Sequence, residues 1–97
     1  MVRLFARMRV ADYESWRKEY DAFYGERGSL GVLGAAAFQS VDDPNDLTVW
    51  HDFETEEIAR AFVASDALRD VMQRAGVDGE PQFWFVTESW RPLPAFA

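Results

Sequence analysis

A single histidine, His51, stands in a chain of 97 residues that holds no cysteine. Imidazole is the side chain whose ordinary pKa lets it take and return a proton near neutrality, so His51 is the first candidate for a general base. It shares parity with Leu47, Val49 and Phe53, against Thr48, Trp50 and Asp52. On an alternating strand that places it on the apolar, helix-packed face, where a histidine is also a plain structural residue. A metal or haem site at His51 lacks a second ligand: neither an HxH nor a His–Glu spacing accompanies it.

Arg3, Arg7 and Arg9 alternate with apolar residues and flank Phe5 on one strand face. If the strand carrying them neighbours that of Thr48, Trp50 and Asp52, Arg7 faces Asp52, and a buried charge needs such a partner. Two readings stay open. One is an ion pair and packing at a subunit interface. The other is a cavity in which the arginine binds an enolate or carboxylate while Trp50 stacks on an aromatic ring. Phe5, Phe38, Trp84 and Trp90 line the same cavity or simply fill a core. Glu88 shares the face of Trp84 and Trp90; burial would raise its pKa and let it move protons, whereas an arginine opposite would make it half of an ion pair. Asp42 and Asp43 are explained by the turn they occupy.

The elements that must position these groups follow from periodicity. Val2–Val10 alternates and reads as a strand. Asp12 caps a helix of about 13–15 residues whose apolar stripe is Tyr13, Trp16, Tyr20, Phe23 and Tyr24, with Gly25 and Gly28 as its stop. Leu30–Val41 and Leu47–Phe53 form a hairpin across the Asp42–Asp46 turn. Thr55 caps a second helix with the stripe Ile58, Ala61, Phe62 and Ala64. Ser65 restarts it with Leu68, Val71, Met72 and Ala75, and Gly76 and Gly79 end it. Gln82–Arg91 is the last strand, and Pro92–Ala97 is an apolar arm held extended by its prolines. The order β-α-β-β-α-β with right-handed crossovers predicts an α+β, ferredoxin-like fold: four antiparallel strands with both helices on one face.

Residues 1–97 suffice for one domain. The chain is 48% hydrophobic and 15% aromatic, and the first and last strands are apolar on both faces. Two helices cover one face only, so the sequence predicts a homodimer, with the 92–97 arm crossing to the partner. Seventeen acids against ten bases give a net charge of −7, which disfavours nucleic acid and an anionic membrane surface. With no long apolar run and no signal-peptide block, the expected location is cytoplasmic. A Gly-rich phosphate loop, a nucleophile elbow and a dinucleotide fingerprint are absent, so no cofactor is expected.

Val10-Ala11-Asp12-Tyr13-Glu14-Ser15-Trp16 at the strand–helix junction, Asp42-Asp43-Pro44-Asn45 at the hairpin, Phe53 with Thr55–Phe62, Ala64–Leu68, and Met72 with Ala75-Gly76-Val77 together resemble the dimeric α/β barrel superfamily. The likeness covers nearly the whole chain and is greatest to small bacterial antibiotic-biosynthesis-monooxygenase-like and cyclase-like proteins. It implies two sheets packed face to face in a barrel. It also implies a small-molecule-binding protein, as a cofactor-free monooxygenase or cyclase acting on an aromatic, polyketide-like substrate. The alternatives it leaves are a non-catalytic ligand-binding or stress-type dimeric module, and a haem-handling enzyme. Fold alone does not choose among them. The candidate residues carried forward are His51 and Glu88 for proton transfer, and Phe5, Arg7, Phe38, Trp50, Asp52 and Trp84 for substrate binding.

Overall fold

The computed structural model describes residues 1–92. Its strands are β1 (Val2–Val10), β2 (Gly34–Gln39), β3 (Asp46–Phe53) and β4 (Val77–Val86). Its helices are α1 (Tyr13–Ala22), α2 (Tyr24–Ser29), α3 (Glu56–Ala64) and α4 (Asp66–Arg74). The strands form one antiparallel sheet in the order β2-β3-β1-β4, so β1 and β3 are its central neighbours, as the ferredoxin-like reading requires. The expected arm at Leu93–Ala97 lies outside the described residues.

The starts of α1, α3 and α4 are fixed by three residues whose side chains accept hydrogen bonds from backbone amides. Asp12 accepts from Ser15, Thr55 from Ile58, and Ser65 from Leu68. Ser65 divides the second helical segment into α3 and α4, as its type and position predict.

Three boundaries differ from expectation. The first helical segment runs through Gly25 and Gly28, which lie inside α2; only Phe23 interrupts it. The glycine that the backbone demands is Gly31, at φ 96°, where an added Cβ would lie 2.5 Å from Ile58 Cγ2. The strand after it begins at Gly34, not Leu30. The last strand starts at Val77 and ends at Val86, several residues earlier than the alternation of Gln82–Arg91 suggests. Gly79 (φ 74°) and Pro81 do not end an element; they sit within β4, where its register against β1 shifts between Arg7 and Arg9. A proline is tolerated there because β4 is an edge strand.

Leu4, Ala6 and Val10 of β1 and Leu47, Val49, His51 and Phe53 of β3 are buried under the helices. Trp16, Phe23, Ala59, Phe62, Leu68 and Val71 cover them. Within α3 the buried members are Ala59 and Phe62; Ala61 and Ala64, expected in the stripe, are exposed, as is Tyr24 of α2. None of the described helices is long and apolar enough to cross a membrane.

Candidate functional site

The sheet carries two separate sets of chemically able residues, one on each face. Strand parity sorts them, because paired residues of neighbouring strands project to the same side.

On the face away from the helices, Arg3, Phe5 and Arg7 of β1 pair with Asp52, Trp50 and Thr48 of β3. The outer strands add Gly34, Ala36 and Phe38 of β2, and Gln82, Trp84 and Val86 of β4. The expected Arg7–Asp52 pair does not form. Asp52 lies across from Arg3, whose Nε and Nη2 donate to its two carboxylate oxygens at 2.7 and 3.0 Å. Arg7 reaches the opposite way along β3 and binds Asp46 at 3.2 and 2.8 Å through the same two nitrogens. Arg9 donates to Asp43 at 2.8 Å. The reason is register: the antiparallel pairing sets Arg3 across from Asp52 and Arg7 across from Thr48, four residues away along β3. Each arginine holds its carboxylate below the usual range, chiefly by the hydrogen bond it donates; for Asp43 the backbone amide of Asn45 contributes most.

The aromatics of this face do not form one lining. Phe5 stacks on Trp84 with ring centres 5.6 Å apart, and the Arg3 guanidinium lies 3.8 Å from the centre of the Trp50 ring. Phe38 stands on the far edge, across from Thr48, and is 55% exposed; Trp84 is 42% exposed. Trp90 lies past the end of β4 and is exposed. Glu88 also falls beyond β4, exposed and ion-paired to Arg91. Of the two roles open to it, the structure shows half of an ion pair. It borders a shallow depression of about 280 Å³ that Arg3, Phe5, Asp52 and Val86 line from the sheet side.

The second set lies between sheet and helices. His51 is only 4% exposed, on the parity its neighbours predict. Its Nε2 shares a hydrogen bond with the Tyr20 hydroxyl of α1, and its ring packs against Phe53 and Phe62. Its Nδ1 is buried without a hydrogen-bond partner among the described residues. Burial pushes its pKa down to about 4, against a smaller opposing pull from Asp52, so the imidazole is neutral at pH 7. His51 and Tyr20 are polar members of the lining of a small, partly open cavity, with Met8, Trp16, Phe62, Met72 and Phe83 among its other members. The free space amounts to about 20 Å³, room for one water.

Tyr20, the hydrogen-bond neighbour of His51, enters the sequence reading only as one stripe member of the first helix. Its signal was present: a tyrosine on a helix face turned toward the strand face of the only histidine. Asp46, a turn residue by sequence, is the partner of Arg7, and Arg3 rather than Arg7 is the partner of Asp52.

No family model matches the sequence, and no curated protein matches it. Solved structures do match it. A candidate antibiotic biosynthesis monooxygenase of Bordetella bronchiseptica superposes with a TM-score of 0.79 at 16% identity, over 92% of this chain and 97% of that one. SnoaB of Streptomyces nogalater, described as a cofactor-independent oxygenase, gives 0.75 at 12% identity over 96% of each chain. A monooxygenase of Streptomyces coelicolor, determined with nanaomycin D bound, gives 0.68 at 19% identity over 97% of this chain and 92% of that one. The chain has the ferredoxin-like fold of the antibiotic biosynthesis monooxygenase-like proteins.

Proposed function

We propose that the protein is a cofactor-independent enzyme acting on an electron-rich aromatic, polyketide-like molecule, oxygenating or cyclising it, with His51 as its proton acceptor. The observation that carries this is the state of His51. It is a neutral, buried imidazole, oriented by Tyr20 through one nitrogen, with no protein partner at the other.

The arrangement suits one kind of work. If Nε2 donates its proton to the Tyr20 oxygen, Nδ1 presents a bare lone pair in apolar surroundings. A phenol placed against it transfers its proton to Nδ1 and becomes a phenolate, whose charge beside the ring has to raise the imidazole's affinity for that proton above the pKa of about 4 that burial alone leaves it. That anion is electron-rich enough to react with O₂ directly, and the new imidazolium beside it offsets its charge. The same transfer from a carbon next to a carbonyl gives an enolate, the nucleophile of a ring closure. The names of SnoaB and its structural relatives support oxygenation as the first choice. A substrate needs more space than the cavity now has. The half-buried Met8, Met72 and Phe83 are the lining members able to swing aside, and methionine is the most adaptable of apolar side chains.

Oxygen uptake by metal-free protein, measured over a panel of anthrones and quinols, tests the proposal. At least one substrate consumes O₂, and His51→Asn abolishes the uptake while leaving the far-ultraviolet circular dichroism unchanged. Uptake that survives this substitution removes His51 from the reaction. No turnover across the panel favours the second reading, a non-catalytic dimeric ligand-binding module. The observation on its side is that Arg3, Arg7 and Arg9 are each already neutralised by a carboxylate of this chain.

A further inference from the structure

Arg27 stands apart from the other arginines of the structure. Arg3, Arg7, Arg9, Arg17, Arg60, Arg69, Arg74 and Arg91 each form an ion pair, but Arg27 has no carboxylate within ion-pairing distance among the described residues. It is half-buried at the middle of α2, and one Nη1 proton goes to the Tyr20 carbonyl oxygen at 3.0 Å. Its guanidinium carbon lies 4.1 Å from the centre of the Tyr20 ring and 5.7 Å from that of Tyr24. Two rings and a backbone carbonyl therefore fix the group in place, while Nε and Nη2 have no acceptor among the described residues. In this same molecule that pair of nitrogens is what Arg3 and Arg7 use to hold the two oxygens of Asp52 and Asp46. The nearby Asp21 does not supply the missing partner, because its carboxylate is held by Arg17 at 3.0 and 3.1 Å.

Arg27 lines a cleft of about 230 Å³ between α2 and the outer edge of the sheet, together with Tyr24, Val32, Leu33 and Ala35. Glycines 25, 28 and 34 form much of the remaining wall; a Cβ added at Gly25 or Gly28 would meet nothing within 4 Å. The cleft is smaller than the ~300–1,000 Å³ of sites for drug-sized ligands. It joins a fixed cation, with a donor edge that fits a carboxylate, to an aromatic and aliphatic wall. From this geometry we infer that the Arg27 cleft binds a small planar carboxylate with an apolar or aromatic body. The carboxylate takes Nε and Nη2, and the body lies against Tyr24, Val32 and Leu33. Burial pulls the guanidinium pKa below its ordinary value, and a bound anion relieves that cost. The inference is independent of proton transfer at His51, which lies in a different cavity.

The test is a titration of the ¹⁵N-labelled protein with sodium benzoate, followed at the amide resonances of Gly25, Gly28 and Gly34. Benzamide, its neutral isostere, and inorganic phosphate serve as the two controls. Benzoate shifts the three glycine signals saturably in the millimolar range, the affinity expected of so small a ligand. Benzamide and phosphate leave them in place. Arg27→Gln weakens benzoate by about tenfold or more, as losing charge-assisted hydrogen bonds implies, and Arg27→Lys falls between. Arg27 also packs on Tyr20, so Ala35→Leu, on the wall of the cleft across from α2, provides a second variant that narrows the cleft and leaves the Arg27 side chain in place; it too weakens benzoate. Equal shifts with benzamide overturn carboxylate recognition. Equal shifts with phosphate reduce the site to general anion attraction and overturn it as well. No shift at the three glycines, or full affinity in Ala35→Leu, rejects the cleft.

Discussion

At the scale of single residues, the burial of His51 has a consequence for stability. Its folded pKa is about 4, against about 6.5 for an exposed histidine. Between those values the unfolded chain binds a proton that the folded chain refuses, so stability falls as pH falls from about 6.5 toward 4. From pH 7 to pH 5 the loss is about 2 kcal/mol by that linkage. No second histidine shares the window, and carboxylates titrate mostly below it. Urea unfolding at the two pH values measures the difference, and His51→Asn flattens it; an unchanged midpoint in the wild type would mean that the ring is hydrated. The open sheet face makes a second claim at this scale. A double-mutant cycle couples Arg3 to Asp52 by up to about 1 kcal/mol, the usual range for a partly exposed pair. The Arg7–Asp52 cycle gives nothing, because Arg7 spends its donors on Asp46.

At the scale of elements, Gly31 and Gly28 behave oppositely. Gly31 sits at φ 96° with Ile58 pressed against the place a Cβ would take, so Gly31→Ala strains the backbone and displaces α3. The cost is about 1–3 kcal/mol from the dihedral alone. Gly28 is helical and faces open space, so Gly28→Ala stabilises by about 0.4–1 kcal/mol. Trp16, 2% exposed and stacked between Tyr13 and Tyr20, is the centre of the first helix, and Trp16→Ala costs about 3–5 kcal/mol. Thermal melts rank the three. The same elements show what the sequence could and could not say. Caps were readable because Asp12, Thr55 and Ser65 act on amides three residues away. The parity of His51 was readable because period two needs only its own strand. The Arg3–Asp52 pair was not, because register is set between strands far apart in sequence, and a shift of a few residues changes every partner. The start of β4 was hidden for a related reason: Gly79 and Pro81 carry the composition of a stop, yet at a sheet edge they make a bulge. Tyr20 and His51, 31 residues apart, meet only because α1 crosses β3.

At the scale of the whole molecule, the open face of the sheet has the composition of an interface. Phe38, Trp84 and Val86 are exposed there beside half-buried Phe5 and Trp50. The charges among them are already matched, Arg3 to Asp52, Arg7 to Asp46 and Arg9 to Asp43. That matching matters energetically. Burying a lone charge is prohibitive, whereas a bidentate pair formed within one chain enters an interface with its hydrogen bonds in place. Three arginines sit on this face in a chain of net charge −7, so most of the excess acid lies elsewhere and does not force two such faces apart. We propose a second copy of this chain as the occupant of that face. In such a dimer isologous packing would set aromatic against aromatic around the two-fold axis, and an obligate contact of this kind buries roughly 2,000 Å² or more. Light scattering at micromolar concentration then reads twice the 11.1 kDa chain mass. Trp84→Glu places an unmatched charge at the centre of the contact and shifts the species to monomer, while Glu57→Lys on the outer side of α3 leaves the mass unchanged. A folded wild-type monomer at that concentration would refute the dimer.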